Sequence, residues 1–445
     1  MTSSPGATQQ SESSEPRGRR AAVAFIFVTA LIDVLSFGII IPVLPPLVVA
    51  FAGGDAVHGA RIYGAFGTAW ALMQFICSPL LGALSDRFGR RPVILLSCFG
   101  LGLDYLFMAF APSLGWLFVG RIISGITAAN FSTASAYIAD VTPPEKRAAA
   151  FGLVGAAWGF GFVLGPALGG FLGAIEPRLA FVGAAALALL NALYGVFVLP
   201  ESLPRDKRSS FQWSRANPLG SLTLLRSAPQ LLGLSGVNFL FWIAHNVLPS
   251  VFVLYAGYRY GWSPRTMGFL LAATGVCNIL VQVGLIKPVV ARLGERGTLL
   301  AGLLFGGLGF AMYGLAPNGT LVWAAVPVFS LIGLFGPASQ SLMTRQVSPS
   351  QQGQLQGANS CVMALTGLIG PALFTLTFAH FIDADRSWKL PGAPFLVAAA
   401  LMLIALLLAW RVTRNAPPGD GARLAPDVRD ESSATTAQPR TDPVA

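Results

Sequence analysis

Three ionisable side chains lie inside otherwise apolar stretches of this sequence: Asp33, Asp104 and Arg121. A charged group near the centre of a membrane-crossing helix costs roughly 2.5 to 3.5 kcal/mol to insert, so each is a candidate for ion or proton chemistry. Asp33 lies midway along its apolar run with no basic residue near it in sequence, and Gly38, Pro42, Pro45 and Pro46 loosen the end of the helix that follows it. A carboxyl group whose surroundings alternate between hydrocarbon and water can bind and release a proton, which makes Asp33 the first choice for a proton site. Asp104 and Arg121 occupy consecutive apolar runs, each roughly 10 Å from the outer end at 1.5 Å per residue. At matching depth they form either a structural ion pair or a second part of a proton-coupling set.

The elements that carry these groups follow from composition. The 445 residues are 54% hydrophobic and only 11% charged, against about 25% charged in soluble domains. Apolar runs of about 20 residues, each long enough to cross a bilayer, fall at 22–45, 62–84, 92–111, 115–137, 148–173, 179–199, 231–255, 266–286, 298–316, 320–343, 355–381 and 393–411. The expectation is an all-α membrane protein of twelve transmembrane helices in two six-helix halves, 21–199 and 231–415, joined by a cytoplasmic linker at 200–230. Segments 1–20 and 416–445 lack the apolar content to fold and are expected to be disordered. The net charge of +10 reports orientation rather than nucleic-acid binding. With the N-terminus in the cytoplasm, 19 basic residues fall on the inner side and six on the outer, so both termini are expected to be cytoplasmic.

The halves repeat one another at an offset of 205 residues. The charged turn GALSDRFGRR (82–91) returns as PVVARLGERG (288–297), with Arg87, Gly89 and Arg91 matching Arg292, Gly294 and Arg296. Gly165 and Pro166 return as Gly370 and Pro371. Parallel repeats of this kind place a binding cavity at their interface near mid-bilayer. Gly161, Gly165, Pro166, Gly370 and Pro371 provide either places where a helix bends or close packing alone. The turn holding Gly82, Asp86, Arg87, Gly89, Arg90 and Arg91 is a candidate gating latch. Asp86 could cap a neighbouring helix, and the arginines could pair with Asp140 and Glu145; the rival reading is a topology signal without a gating role. Gln74, Asn130, Asn238, His245, Asn246, Asn278, Gln282 and Gln340 are the polar candidates for a substrate cavity, each with an alternative as an interhelical hydrogen-bond partner. Cys77, Cys98, Cys277 and Cys361 read as small packing residues without metal-ligand spacing. No cofactor and no metal site are expected.

These residues carry a resemblance. GALSDRFGRRP resembles the signature between the second and third helices of the major facilitator superfamily. GRIISGITAA (120–129) and GFVLGPALGG (161–170) resemble its antiporter motifs in the fourth and fifth helices. LIDVLSFGIIIPVLP around Asp33, WALMQ ending at Gln74, LDY around Asp104 and GLIGPALFT (367–375) are similar to the tetracycline-efflux group of drug/proton antiporters. The resemblance implies a monomeric carrier in the bacterial inner membrane, exporting a drug-like small molecule, tetracycline first, in exchange for protons, with no covalent chemistry. Rival readings are a proton-coupled carrier of a sugar or other metabolite and a non-transporting membrane receptor. The chain departs from that group at two positions. Asn278 stands where the group has a histidine and Gly306 where it has an aspartate, and no acidic residue falls in any apolar run of the second half. One carboxylate fewer should favour neutral or weakly cationic substrates over a charged metal complex.

Overall fold

A computed structural model describes residues 17–127, 130–142, 147–208, 220–348, 351–385 and 387–414. Within the bilayer a backbone must satisfy its own hydrogen bonds, and the described residues accordingly form helices and short turns with no strand. The first span is α1 (Arg17–Ile40), a turn at Pro42, and α2 (Leu44–Phe51). The next two are α3 (Ala56–Phe88) and α4 (Arg90–Ala109). The fourth comprises α5 (Leu114–Thr127) and α6 (Asn130–Val141), followed by α7 (Arg147–Ile175) and α8 (Pro177–Val198). The second half opens with α9 (Pro229–His245) and α10 (Val247–Tyr260), which meet at Asn246. Then α11 (Pro264–Leu280) passes through a π-helical turn at Val281–Leu285 into α12 (Ile286–Leu315), which reverses direction at Gly294. The chain ends with α13 (Gly319–Ser330), a 3₁₀ turn at Leu331–Leu334, α14 (Phe335–Thr344), α15 (Gln352–Ile382) and α16 (Ala393–Thr413).

Nine helices among the described residues are long and apolar enough to cross a membrane. Two shorter apolar helices, Leu114–Thr127 and Gly159–Ile175, and the reversal inside the longest one make this consistent with twelve crossings. Helix α1 begins at Arg17, inside the segment expected to be disordered; arginine is a good helix former.

Two separate sets of hydrophobic clusters hold the molecule. One large cluster gathers buried side chains from Leu224 to Ala409, with Ala60 reaching in from α3. Two smaller clusters occupy residues 39–188 and 94–199. In the N-terminal half α1 packs on α7 and α4 on α8; in the C-terminal half α9 and α10 pack on α15 and α12 on α16, the same arrangement 205 residues on. Between the sets the extensive contacts are α7 with α11 and α3 with α15.

The repeated charged turns owe their shape to glycine. Gly89 has φ 107° and Gly294 φ 67°, both in the region closed to side chains with a Cβ. A Cβ on Gly89 would also overlap Oε2 of Glu201 and lie 2.8 Å from Nη2 of Arg208, whereas one on Gly294 would meet nothing within 4 Å. Gly294→Ala is therefore expected to cost only the backbone strain, about 1 to 3 kcal/mol, and Gly89→Ala clearly more. Thermal unfolding of the purified variants checks this, and equal losses would refute it.

Candidate functional site

The ionisable residues of the first half lie between its own helices. On α1, Asp33 faces α4 and α8: Asn191 Nδ2 donates to Asp33 Oδ1 at 2.9 Å and to the Thr29 carbonyl at 3.0 Å, and the Cys98 thiol points at the same carboxylate from 3.7 Å. Cys98 is thus more than the packing residue expected from sequence. Asn191 went unnoticed in the sequence because it is one amide in the helical run LALLNALYG with no charge beside it. Its side chain is fully buried and its Oδ1 has no hydrogen-bonding partner.

Asp104 and Arg121 do share a depth, Asp104 from α4 turned toward Arg121 and Ser124 of α5. Both are buried, at 2% and 8% exposure. They form no contact ion pair: the Asp104 carboxylate takes no donor from Arg121 and has the Ser124 hydroxyl beside it, and the guanidinium lies over Trp70 instead, 5.4 Å from the ring centroid. A structural salt bridge is therefore the wrong description of the pair. Gly120 explains how the chain fits there, since a Cβ on it would lie 3.2 Å from Asp104 Oδ1 and 3.0 Å from the Met108 sulfur.

The two halves touch along two seams, both at the end of the molecule away from the charged turns. At the α3–α15 seam Gly64 meets Thr375, a Cβ on Gly67 would lie 2.8 Å from Pro371 Cβ, and the Tyr63 hydroxyl donates to the Pro249 carbonyl at 3.1 Å. At the α7–α11 seam Gly268 abuts the Pro166 carbonyl, and a Cβ on Gly170 would lie 2.6 Å from the Pro264 carbonyl. Both repeated prolines thus sit at seams, in helices that run through them without interruption. Their glycine partners pack within each half, where a Cβ on Gly165 would lie 2.8 Å from Gly38 Cα, one on Gly161 2.5 Å from Val34, and one on Gly370 2.5 Å from Asn246. Toward the charged turns, nothing lies within 4 Å of a Cβ on Gly82, Gly284 or Gly336.

The charged turns themselves are braced within each half. Arg90 pairs with Asp86 at 2.5 Å and with Asp140 at 3.1 Å, its backbone N–H donates to Glu201 at 2.9 Å, and Arg91 donates to the Val196 carbonyl at 2.5 Å. Asp86 caps neither α4 nor α15, whose N-cap positions Gly89 and Gln351 carry no side-chain cap, because the Arg90 guanidinium one turn away holds the carboxylate. Arg87 lies over its neighbour Phe88, and Glu145 falls outside the described residues. In the second turn Glu295 pairs with Arg345 at 2.6 Å and accepts from Ser341, and Arg296 donates to Thr413. Residues 295 and 345 are the 205-residue counterparts of 90 and 140, so the brace is repeated with its charges exchanged. A search for identical residues misses this pair, but the offset alone locates it.

Each polar cavity candidate that the structure describes has its own setting among the helices. Asn238 is buried among α9, α14 and α15, accepting from Ser339 at 2.8 Å and donating toward Met343 and Asn359. Asn246 donates to the Trp242 carbonyl and toward Thr366 of α15. His245 stacks on Phe241, itself stacked on Phe335, and meets Trp242 edge-on. Gln74 and Gln340 are half-buried and Gln282 is exposed on the π turn. Asn130 begins α6, and its side chain lies outside the described residues. Asn278 and Gly306 meet the same 3₁₀ turn of the tenth span: a Cβ on Gly333 would lie 3.7 Å from Asn278 Oδ1, and one on Gly306 would lie 2.9 Å from Ile332 Cγ1. Gly306 is buried. Gly306→Asp would press a carboxylate against Ile332, so loss of folded protein is expected rather than a new metal-dependent activity; normal yield of that variant with divalent-metal-dependent transport would contradict this.

Comparison with known proteins extends these observations. Residues 26–371 and 292–443 match the profile of the Major Facilitator Superfamily. The chain is 38% identical over 388 residues to the tetracycline resistance protein, class C, of Escherichia coli, covering 86% of this chain and 95% of that protein. It is 35% identical to the class G protein of Vibrio anguillarum, covering 87% and 96%. Among solved structures it is similar to the human organic anion transporter MFSD10 (TETRAN), with a TM-score of 0.66, 25% identity and coverage of 89% of this chain and all of that one.

Proposed function

Because this chain belongs to the major facilitator superfamily, and so is a transporter that carries small molecules across a membrane, we propose that it is a proton-coupled antiporter exporting a drug-like molecule of the tetracycline type. The observation that carries the proton coupling is the set of ionisable groups enclosed in the first half. Asp33 sits on the Asn191 amide and the Cys98 thiol, while Asp104 and Arg121 are buried side by side without a contact pair. Charges enclosed in this way mark proton and ion pathways. Substrate and proton would compete through Asp33, and the membrane potential adds about 2.3 kcal/mol per charge per 100 mV.

The two halves, taken as residues 21–199 and 231–415 with 200–230 as linker, would rock as units around the bound molecule. With the charged turns and both termini on the cytoplasmic side of a bacterial inner membrane, both seams lie toward the outer side, and the conformation would be the inward-facing one. Outward release requires the glycine–proline seams to part and the charged turns to come together as a latch. The protein would work as a monomer, because each half supplies one side of both seams. The relatives named as tetracycline resistance proteins support the substrate class. The absence of a carboxylate at Gly306 favours neutral or weakly cationic members of it.

Everted membrane vesicles test the reading. Addition of tetracycline to acidified vesicles is expected to release protons, and an uncoupler to abolish drug accumulation. Accumulation untouched by the uncoupler would remove the coupling. Proton movement in the opposite sense with a sugar or other metabolite would replace antiport with symport.

A further inference from the structure

Beside the α3–α15 seam runs a groove of about 440 Å³ that includes Arg61, Ala65, Thr68, Leu72, Ala372 and Leu376 in its lining. Its side of α3 is set by the contacts of that helix. Tyr63 and Trp70 turn toward the seventh span and toward Phe37 of the first, and Gly64 and Gly67 face α15. The groove residues fall on the remaining face, where Ala65, Leu72 and, on α15, Leu376 are exposed. It opens to the bilayer and not to the space between the halves. From Arg61 to Leu72 it runs eleven residues, about 16 Å, close to the ~15 Å of hydrocarbon in one leaflet. At its outer end Arg61 and Asp383 lie across the seam at 3.7 Å, with the arginine side chain 55% exposed, so one cation and one anion face the headgroup region together.

We infer that this groove binds one phospholipid with a zwitterionic headgroup, its acyl chain along Ala65 and Leu72, its phosphate on Arg61 and its ammonium on Asp383. The length of the apolar channel selects a chain of one leaflet, and the paired opposite charges select a headgroup that carries both. The lipid lies on the bilayer side of the α3–α15 seam, bridging the two helices that must part during transport. Its occupancy therefore favours the conformation with that seam closed.

The test uses the full chain reconstituted in vesicles containing phosphatidylethanolamine with a photoactivatable acyl chain, cross-links being mapped by peptide mass spectrometry. Cross-links are expected to concentrate on residues 65–72 and 372–376 over the exposed Leu403 and Leu407 of α16. Ala65→Trp, at an exposed position, should fill the channel and lower them about tenfold, and Arg61→Gln should lower them several-fold while leaving helical content unchanged. Uniform labelling of all bilayer-facing helices would mean annular lipid only and overturn the site. Displacement of the label by tetracycline would assign the groove to the transported molecule instead. Neither outcome depends on proton coupling, so failure here leaves the antiport reading standing, and failure of antiport leaves the lipid site standing.

Discussion

Asp33→Asn is expected to abolish proton-driven export, down to the level of vesicles lacking the protein, while the protein still accumulates in the membrane. The amide keeps the size and one carbonyl oxygen, so Asn191 Nδ2 retains an acceptor at the place it now holds at 2.9 Å. What is lost is the ability to carry a proton. Two measurements separate this from damage to the fold. Tetracycline binding to the purified variant should persist, and counterflow exchange of drug without a proton gradient should continue. Undiminished proton-driven transport would take Asp33 out of the mechanism, and loss of binding together with transport would make it a structural anchor for α1, α4 and α8.

The exchanged charges of the two braces predict a second, asymmetric result. Arg90 is 11% exposed and serves Asp86, Asp140 and Ser85 at once. Its loss leaves two carboxylates without their shared cation, which is expected to cost about 2 kcal/mol after allowing for their partial exposure. Arg345 is 54% exposed and serves one carboxylate; Arg345→Ala should cost less than ~1 kcal/mol, as surface pairs do. Denaturation of the purified variants should show Arg90→Ala several degrees below Arg345→Ala. Equal shifts would mean that the first brace contributes through the backbone at Gly89 and not through its charges. Transport at permissive temperature adds a second reading: a latch predicts slower turnover in Arg90→Ala with substrate affinity preserved.

Much of this was legible in the sequence because a bilayer leaves few choices. A backbone that must close its own hydrogen bonds, a fixed hydrocarbon thickness and the cost of buried charge together turn apolar runs into helices at readable positions. The 205-residue repeat then relates one half to the other, and the isolated charges at 33, 104 and 121 announce themselves against an uncharged background. Gly89 and Gly294 were legible as a repeated pair in the charged turns, and the structure adds that both take positive φ. Partnership was not legible. Asn191 and Cys98 lie 158 and 65 residues from Asp33 along the chain, and an amide or a thiol in an apolar helix carries no local mark of the face it presents. Asp104 and Arg121 share a depth that helix rise predicts, yet stacking of the guanidinium on Trp70 keeps them from direct contact. The exchange of sign between Arg90–Asp140 and Glu295–Arg345 is invisible to residue-by-residue matching, because what the repeat preserves is the pair and not its members. Helix existence is decided by each segment's own solvation, and so belongs to the sequence; which side chains meet depends on how twelve rods rotate and tilt against one another, and only the packed tertiary structure sets that.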